Sequence, residues 1–196
     1  RLKRNVQWLY HNGARYWSGY KKAVPKYSLA VLFSSFMMGE IAAATIFHQM
    51  AAGCKETLFK DAFRSIGRDE ARHMAICMTV MERDYPNLPK EDAEIITKQI
   101  RAGYLFLSAV LFEPPPEFWD LPDNFIATQR ESEAIARAAG FFIPDYEQKK
   151  ENWRKSMLNL KGVLDKYGIA FPAIPEVGID GKEISDIDWD DIIPVF

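Results

Sequence analysis

Apolar side chains recur at helical spacing along most of this chain, and five stretches are long enough to form helices. The stretch from Tyr27 to Ala52 is apolar on nearly every side, which predicts a buried helix that Ser28 caps and Gly53 ends. Four further helices are predicted over residues 56–83, 91–112, 123–139 and 145–167. Because short connections make consecutive helices antiparallel neighbours, the pattern predicts an all-α helical bundle.

Local signals refine the second half of the chain. Asp123 is a candidate N-cap for the fourth helix, whose Phe125 and Ile135 share one side. Residues 169–196 contain prolines, glycines and an acidic run, and they are predicted to form an extended tail. The sequence therefore divides into a helical domain, residues 1–168, and this tail.

A single charge interrupts the first helix. Glu40 is the only charged residue between Tyr27 and Ala52. The neighbours on its helical face are apolar: Phe33, Phe36, Met37, Ala43, Ala44 and Phe47. Burial of an unpaired carboxylate costs roughly several kcal/mol, so this side chain needs a neutralising partner. A bound cation is one solution, and a hydrogen bond from a buried Arg or Tyr is the alternative.

The second helix carries a similar carboxylate. Glu70 and His73 are three residues apart and project from one helical face. The neighbours on that face are again mostly apolar: Phe63, Ile66, Met74, Cys77 and Met81. Glu-x-x-His on an inward face is a ligand pattern of di-iron carboxylate bundles. The alternative is a structural Glu–Arg or Glu–His pair on a half-exposed helix.

The two carboxylates are predicted to come to similar heights in the bundle. At 1.5 Å per residue, Glu40 lies roughly 20 Å before the turn at Gly53 and Glu70 about 25 Å after it. Two facing antiparallel helices would bring them together, so the sequence predicts a metal site formed by Glu40, Glu70 and His73.

Composition narrows the class of protein. The net charge of −2 gives no case for a nucleic-acid partner. The apolar run before Glu40 is too short to span a membrane, and no signal peptide is visible. Cys54 and Cys77 have no CxxC spacing, which excludes a disulfide framework and favours a reducing, cytoplasmic location.

The spacing of these residues resembles a known superfamily. A lone Glu on one buried helix, followed about 30 residues later by Asp-Glu-x-x-His, is similar to the second half of ferritin-like di-iron carboxylate proteins. The run Ile66–His73 resembles the ribonucleotide reductase small subunit and, more closely, hydroxylase subunits of bacterial multicomponent monooxygenases. The resemblance covers about residues 27–85. It implies a ferritin-like bundle, either whole or truncated at its N-terminus, with extra C-terminal helices.

The resemblance also implies roles for individual residues. Glu40, Glu70 and His73 would be iron ligands, Asp69 would hold a ligand histidine, and Arg72 would belong to the same network. The apolar cavity beside the metal would be lined by Phe36, Met37, Ala44 and Phe47. The implied cofactor is a di-iron centre or a manganese/iron pair, and the implied reactants are dioxygen and a small organic substrate.

The ligand set is half of the one that the superfamily uses. No acidic residue precedes Glu40, and no second Glu-x-x-His follows His73. The other ligands would lie upstream of Arg1, or in another chain such as a second copy in a homo-oligomer, or would not exist. The sequence thus predicts a dioxygen-activating oxidase or oxygenase; the alternative is a metal-free ferritin-like scaffold or partner subunit.

Overall fold

The computed structural model describes residues 26–111 and 123–185, and most of them are helical. The helices are α1 (Leu29–Gly53), α2 (Thr57–Asp84), α3 (Lys90–Leu111), α4 (Phe125–Ala138) and α5 (Tyr146–Asp165). Short 3-10 helices span Tyr85–Asn87 and Pro175–Val177. No strand occurs in the described ranges, which confirms the all-α prediction for them, while the ferritin-like arrangement stays a prediction.

Helices α1 and α2 form an antiparallel hairpin, and short-range capping fixes its ends. The Ser28 side chain accepts a hydrogen bond from the Val31 amide at 3.4 Å, as the sequence predicts for this N-cap. The Cys54 amide donates to the Met50 carbonyl and closes the last turn of α1. Three residues then connect α1 to α2, which begins behind a Glu56 cap. The start of α1 and the connection to α2 therefore lie within one or two residues of the predicted positions.

The core lies on one side of this hairpin. The first two-thirds of α1 are largely buried, and α3 and α5 pack on that helix. Tyr104 of α3 and Trp153 of α5 meet edge to face with ring centroids 5.7 Å apart. In contrast, α2 is much less buried than its pattern predicts, since only Gly67, Cys77 and Met81 of its 28 residues are buried.

Residues 169–185 pack on the helices as an irregular but well-anchored segment. Two isolated β-bridges, Pro172 with Lys182 and Ile174 with Ile179, fold it back on itself. A two-pronged ion pair, with both N–O distances at 2.7 Å, joins Arg101 of α3 to Glu176. The predicted extended tail is thus a packed element over this range, and its remainder, residues 186–196, lies outside the described residues.

Two predictions for α4 are wrong. The residue that precedes the helix is Asn124, in a left-handed conformation with φ 61°, and Asp123 is not the N-cap. Ile135 does not share the buried side of Phe125, because its side chain is 65% exposed. Only the beginning of α4 packs closely, and its later turns face solvent.

By length and apolar composition, α1 could cross a membrane, with a mean hydropathy of 1.7 over 18 residues. Half of that window is buried inside the fold, as in the core helix of a globular protein. Because both kinds of helix meet this criterion, the apolar character of α1 does not decide between them.

Candidate metal centre

Glu40, Glu70 and His73 converge in the seam between α1 and α2. One donor atom from each of the three lies within 4.8 Å of the others. The Nδ1 atom of His73 is 3.2 Å from Glu40 Oε2 and 3.2 Å from Glu70 Oε2. The carboxylates of Glu40 and Glu70 therefore lie at the same height of the hairpin, as the sequence predicts, and the His73 ring contacts both of them.

The hairpin geometry brings these side chains together although 33 residues separate Glu40 from His73. Glu70 and His73 are three apart on α2, so both project toward the same part of the seam. Stacked rings of Phe47 and Phe63, with centroids 6.2 Å apart, fix the helices one to two turns closer to the connection. The site is thus set by two rigid helices and not by a loop.

The three side chains lie at the edge of the fold. Side-chain exposure is 21% for Glu40, 16% for Glu70 and 53% for His73. The carboxylates are mostly shielded, as their apolar neighbours predict, while the imidazole ring is half open to solvent. The site therefore has two partly buried carboxylates on one side and an accessible imidazole on the other.

Burial raises the pKa of Glu40 from 4.5 to about 7, and a hydrogen bond and charge repulsion from Glu70 act in the same direction. Hydrogen bonds to Glu70 and then Glu40 raise the pKa of His73 above its usual range. Near neutral pH Glu40 and His73 therefore hold protons more tightly than they would in water. A bound cation would take the place of those protons, because it satisfies the same oxygen and nitrogen lone pairs.

The donor set fits a first-row transition metal. Two carboxylates and one imidazole suit iron, manganese or zinc, whereas calcium and magnesium favour oxygen donors alone. Within residues 26–111 and 123–185, this is the one group of three or more His, Cys, Asp or Glu side chains that could share an ion. Three ligands are enough for one ion; a bridged pair requires further carboxylates.

The structure places Asp69 and Arg72 outside the seam. The two form an ion pair with each other one turn apart on α2, and both side chains are exposed. A surface pair of this kind contributes little to stability. Their predicted part in orienting a ligand histidine stays a prediction.

A cavity of about 470 Å³ lies between α1, α2 and α5 on the core side of the hairpin. Its apolar wall includes Met37 and Ala44, each within a turn of Glu40, and Met74, one turn from Glu70. Its polar wall is formed by α5 and the end of α1: Thr45, His48, Gln49, Asn152, Lys155, Ser156 and Asn159. The volume and the mixed lining suit a small organic molecule with one polar end.

Two of the four predicted cavity residues, Met37 and Ala44, line this space. Phe36 instead lies edge to face with Phe33, and Phe47 stacks on Phe63. Sequence reasoning missed the contribution of α5 altogether. Its signal was the spacing of Asn152, Ser156 and Asn159, which puts three small polar side chains on one helical face.

Comparison with known proteins adds no assignment. The chain matches no protein-family model, no curated protein and no solved structure. The class of the protein therefore has to be argued from the carboxylate–histidine cluster and the cavity beside it.

Proposed function

We propose that this chain carries half of the ligand set of a carboxylate-bridged di-iron or manganese/iron centre, and that the assembled protein is an oxidoreductase that activates dioxygen. The observation that carries the proposal is the convergence of Glu40, Glu70 and His73 within 4.8 Å on two facing helices. Mostly shielded carboxylates with an open face match what a reactive metal needs: firm ligands and room for a small molecule.

Each residue has a defined part in this proposal. Glu40, Glu70 and His73 would hold the metal, and their carboxylates would balance its charge. The bound metal would supply the electrons for reduction of dioxygen. Met37, Ala44 and Met74 exclude water from one side of the cavity and provide an apolar surface for the hydrocarbon part of a substrate. The reaction is an oxidation or oxygenation of that substrate.

The polar wall of the cavity would orient the substrate. Asn152, Ser156 and Asn159 offer hydrogen-bond donors and acceptors opposite the methionine side chains. A molecule with an apolar body and one hydroxyl, amide or carbonyl group satisfies both walls. The location proposed for this oxidoreductase is the cytoplasm, as the two cysteines without disulfide spacing predict.

The experiment is metal loading followed by elemental analysis. The protein is incubated anaerobically with Fe(II), or with Mn(II) and Fe(II), desalted, and analysed for bound metal by mass spectrometry. We expect retained metal in the native chain and at least a tenfold loss in a Glu70→Ala, His73→Ala double variant. Glu82→Gln, an exposed position on the same helix, is the matched control and should bind as the native chain does. Absence of iron and manganese from the loaded native protein would remove the proposal.

A metal-free scaffold is the second candidate, and one observation favours it. The raised pKa of Glu40 and the His73 contacts already neutralise the cluster without a cation. Under this alternative, loading with Fe(II) would not change the melting temperature. The metal-centre proposal expects an increase, since a ligand that binds only the folded state stabilises it.

A further inference from the structure

One side of α2 carries a stripe, apolar except at its centre, that no described helix covers. Its members follow the alternating three- and four-residue spacing of a coiled-coil seam: Ala62, Ile66, Asp69, His73, Ile76 and Val80. Ile66 is 36% exposed and Ile76 is 55% exposed. Of the described helices, α1 is the one on which α2 packs extensively, and it covers a different face.

The stripe lies on the side of α2 that would contact a second neighbouring helix in a four-helix bundle. At about 100° per residue, the stripe is centred roughly 80° from the face that holds Cys77 and Met81 against α1. Each helix of a square bundle contacts two neighbours on faces about that far apart. His73 belongs to the stripe and Glu70 lies on the face toward α1, so the two side chains flank the corner between these faces, where the centre of such a bundle would be.

The stripe is complementary to itself in the antiparallel direction. When a second α2 is laid against the first around a two-fold axis near Glu70–Ala71, small Ala62 faces Val80 of the second copy. Ile66 then faces Ile76 of the second copy, and Asp69 faces His73 of the second copy. Every apolar position meets an apolar one, and the carboxylate meets the imidazole. A two-fold interface requires this kind of self-complementarity.

We propose that two copies of this chain pair through α2 in this antiparallel register and join their α1–α2 hairpins into one four-helix bundle. The partner on the open side of the hairpin is thus a second copy of the same chain. The packed side, with α3 and α5, remains on the outside of each hairpin.

Pairing also completes the ligand set, a consequence that rests on the proposed function. Two copies supply two Glu40, two Glu70 and two His73 side chains. Four carboxylates and two imidazoles, with Glu-x-x-His on two of four helices, are the full set of a two-metal carboxylate bundle. Asp69 would then accept a hydrogen bond from His73 of the second copy and orient it, which gives this exposed carboxylate a function.

The pairing is tested first by oligomeric state. We expect the native chain to sediment as a dimer, and Ile66→Glu and Ile76→Glu to sediment as monomers with unchanged helical circular dichroism. Both isoleucines are exposed in the single chain, so the variants keep the fold. Ile135→Glu, at an exposed apolar position on α4, is the control and should stay dimeric. A monomeric native chain, or a dimer that survives both stripe substitutions, overturns the proposal.

The register is tested by disulfide trapping. Chains with Ile66→Cys are mixed with chains with Ile76→Cys and oxidised. The antiparallel register brings these two positions together, so the mixture should form linked dimers. Each variant oxidised alone should give at least tenfold fewer disulfide-linked dimers. Its two introduced cysteines would lie about 15 Å apart along the interface, which is beyond the reach of a disulfide. Equal linking of either variant with itself contradicts the register.

Metal stoichiometry separates this inference from the proposed function. Two irons per dimer, with loss of bound iron in Ile66→Glu, support both. A dimer that binds no metal supports the proposed interface and contradicts the proposed metal centre. A monomer that binds iron supports the proposed metal centre and contradicts the proposed pairing with a second copy.

Discussion

The charge state of Glu40 gives a prediction whose sign depends on pH. In the folded chain the pKa of this carboxyl is about 7, while in the unfolded chain it returns to about 4.5. Below pH 4.5 both states carry the proton, and the carboxyl is without effect on stability. Between these values folding retains a proton that unfolding releases, so stability falls as the pH rises, and above pH 7 the whole penalty is present.

Glu40→Gln removes this penalty while the amide oxygen still accepts a hydrogen bond from His73. A shift from 4.5 to about 7 corresponds to roughly 3 kcal/mol against the charged form. Partial access of solvent to the carboxylate reduces this to about 1–2 kcal/mol. We therefore expect the variant to be more stable than the native chain by that amount at pH 8, and equally stable at pH 4.5.

The assay is urea unfolding followed by circular dichroism at both pH values, in the presence of a metal chelator. Glu82→Gln, exposed on α2, is the control, and its stability should change by less than about 0.5 kcal/mol at either pH. In a separate titration with Fe(II) in place of the chelator, the native chain should be the more stable of the two, because glutamine is a poorer ligand than carboxylate. A native chain that is as stable as Glu40→Gln at pH 8, or a gain of equal size at pH 4.5, would contradict the assignment of a strained carboxylate.

Two further predictions concern how the rest of the fold supports the hairpin. Glu176→Gln removes the negative charge from the two-pronged pair with the guanidinium of Arg101, whose side chain is 6% exposed, and should lower the free energy of unfolding by about 2 kcal/mol in urea titration. Asp61→Asn, which breaks the exposed pair with Arg64, should change it by less than about 0.5 kcal/mol. Gly53→Ala should lower the melting temperature by roughly several degrees. The new Cβ would lie 2.0 Å from the Phe142 ring and would displace the segment after α4. An unchanged melting temperature would mean that this segment does not pack on the end of α1.

The helices were predictable because their local signals are strong. The predicted range of α1, 27–52, differs by two residues or fewer from the observed Leu29–Gly53, and that of α2 is shifted by one residue. Ser28 and Asp145 both act as the side-chain caps that short polar residues before an apolar run indicate. The start of α4 was less predictable, because Asn124 precedes it without a side-chain cap.

The convergence of Glu40, Glu70 and His73 was predictable for a different reason. A charge inside an apolar helix needs a partner, and hairpin geometry identified which residues could meet. What the sequence could not provide is tertiary: the α5 wall of the cavity depends on how that helix packs on α1. The apolar character of Ile66 predicts burial, but this residue lies on a face that no described helix covers. Which helix faces are covered depends on tertiary packing, which the sequence pattern does not show.

Glu40, Glu70 and His73 all belong to one pair of consecutive helices with a three-residue connection. Their convergence requires closure of only a short length of chain, and such local contacts form early and quickly during folding. We therefore expect nascent chains to bring these three side chains together once residues up to Asp84 have left the ribosome, before the later helices have emerged from it. If the cluster holds a metal as proposed, metal binding and polypeptide synthesis would overlap in time, and a shortage of metal would affect the chain during translation as well as after it.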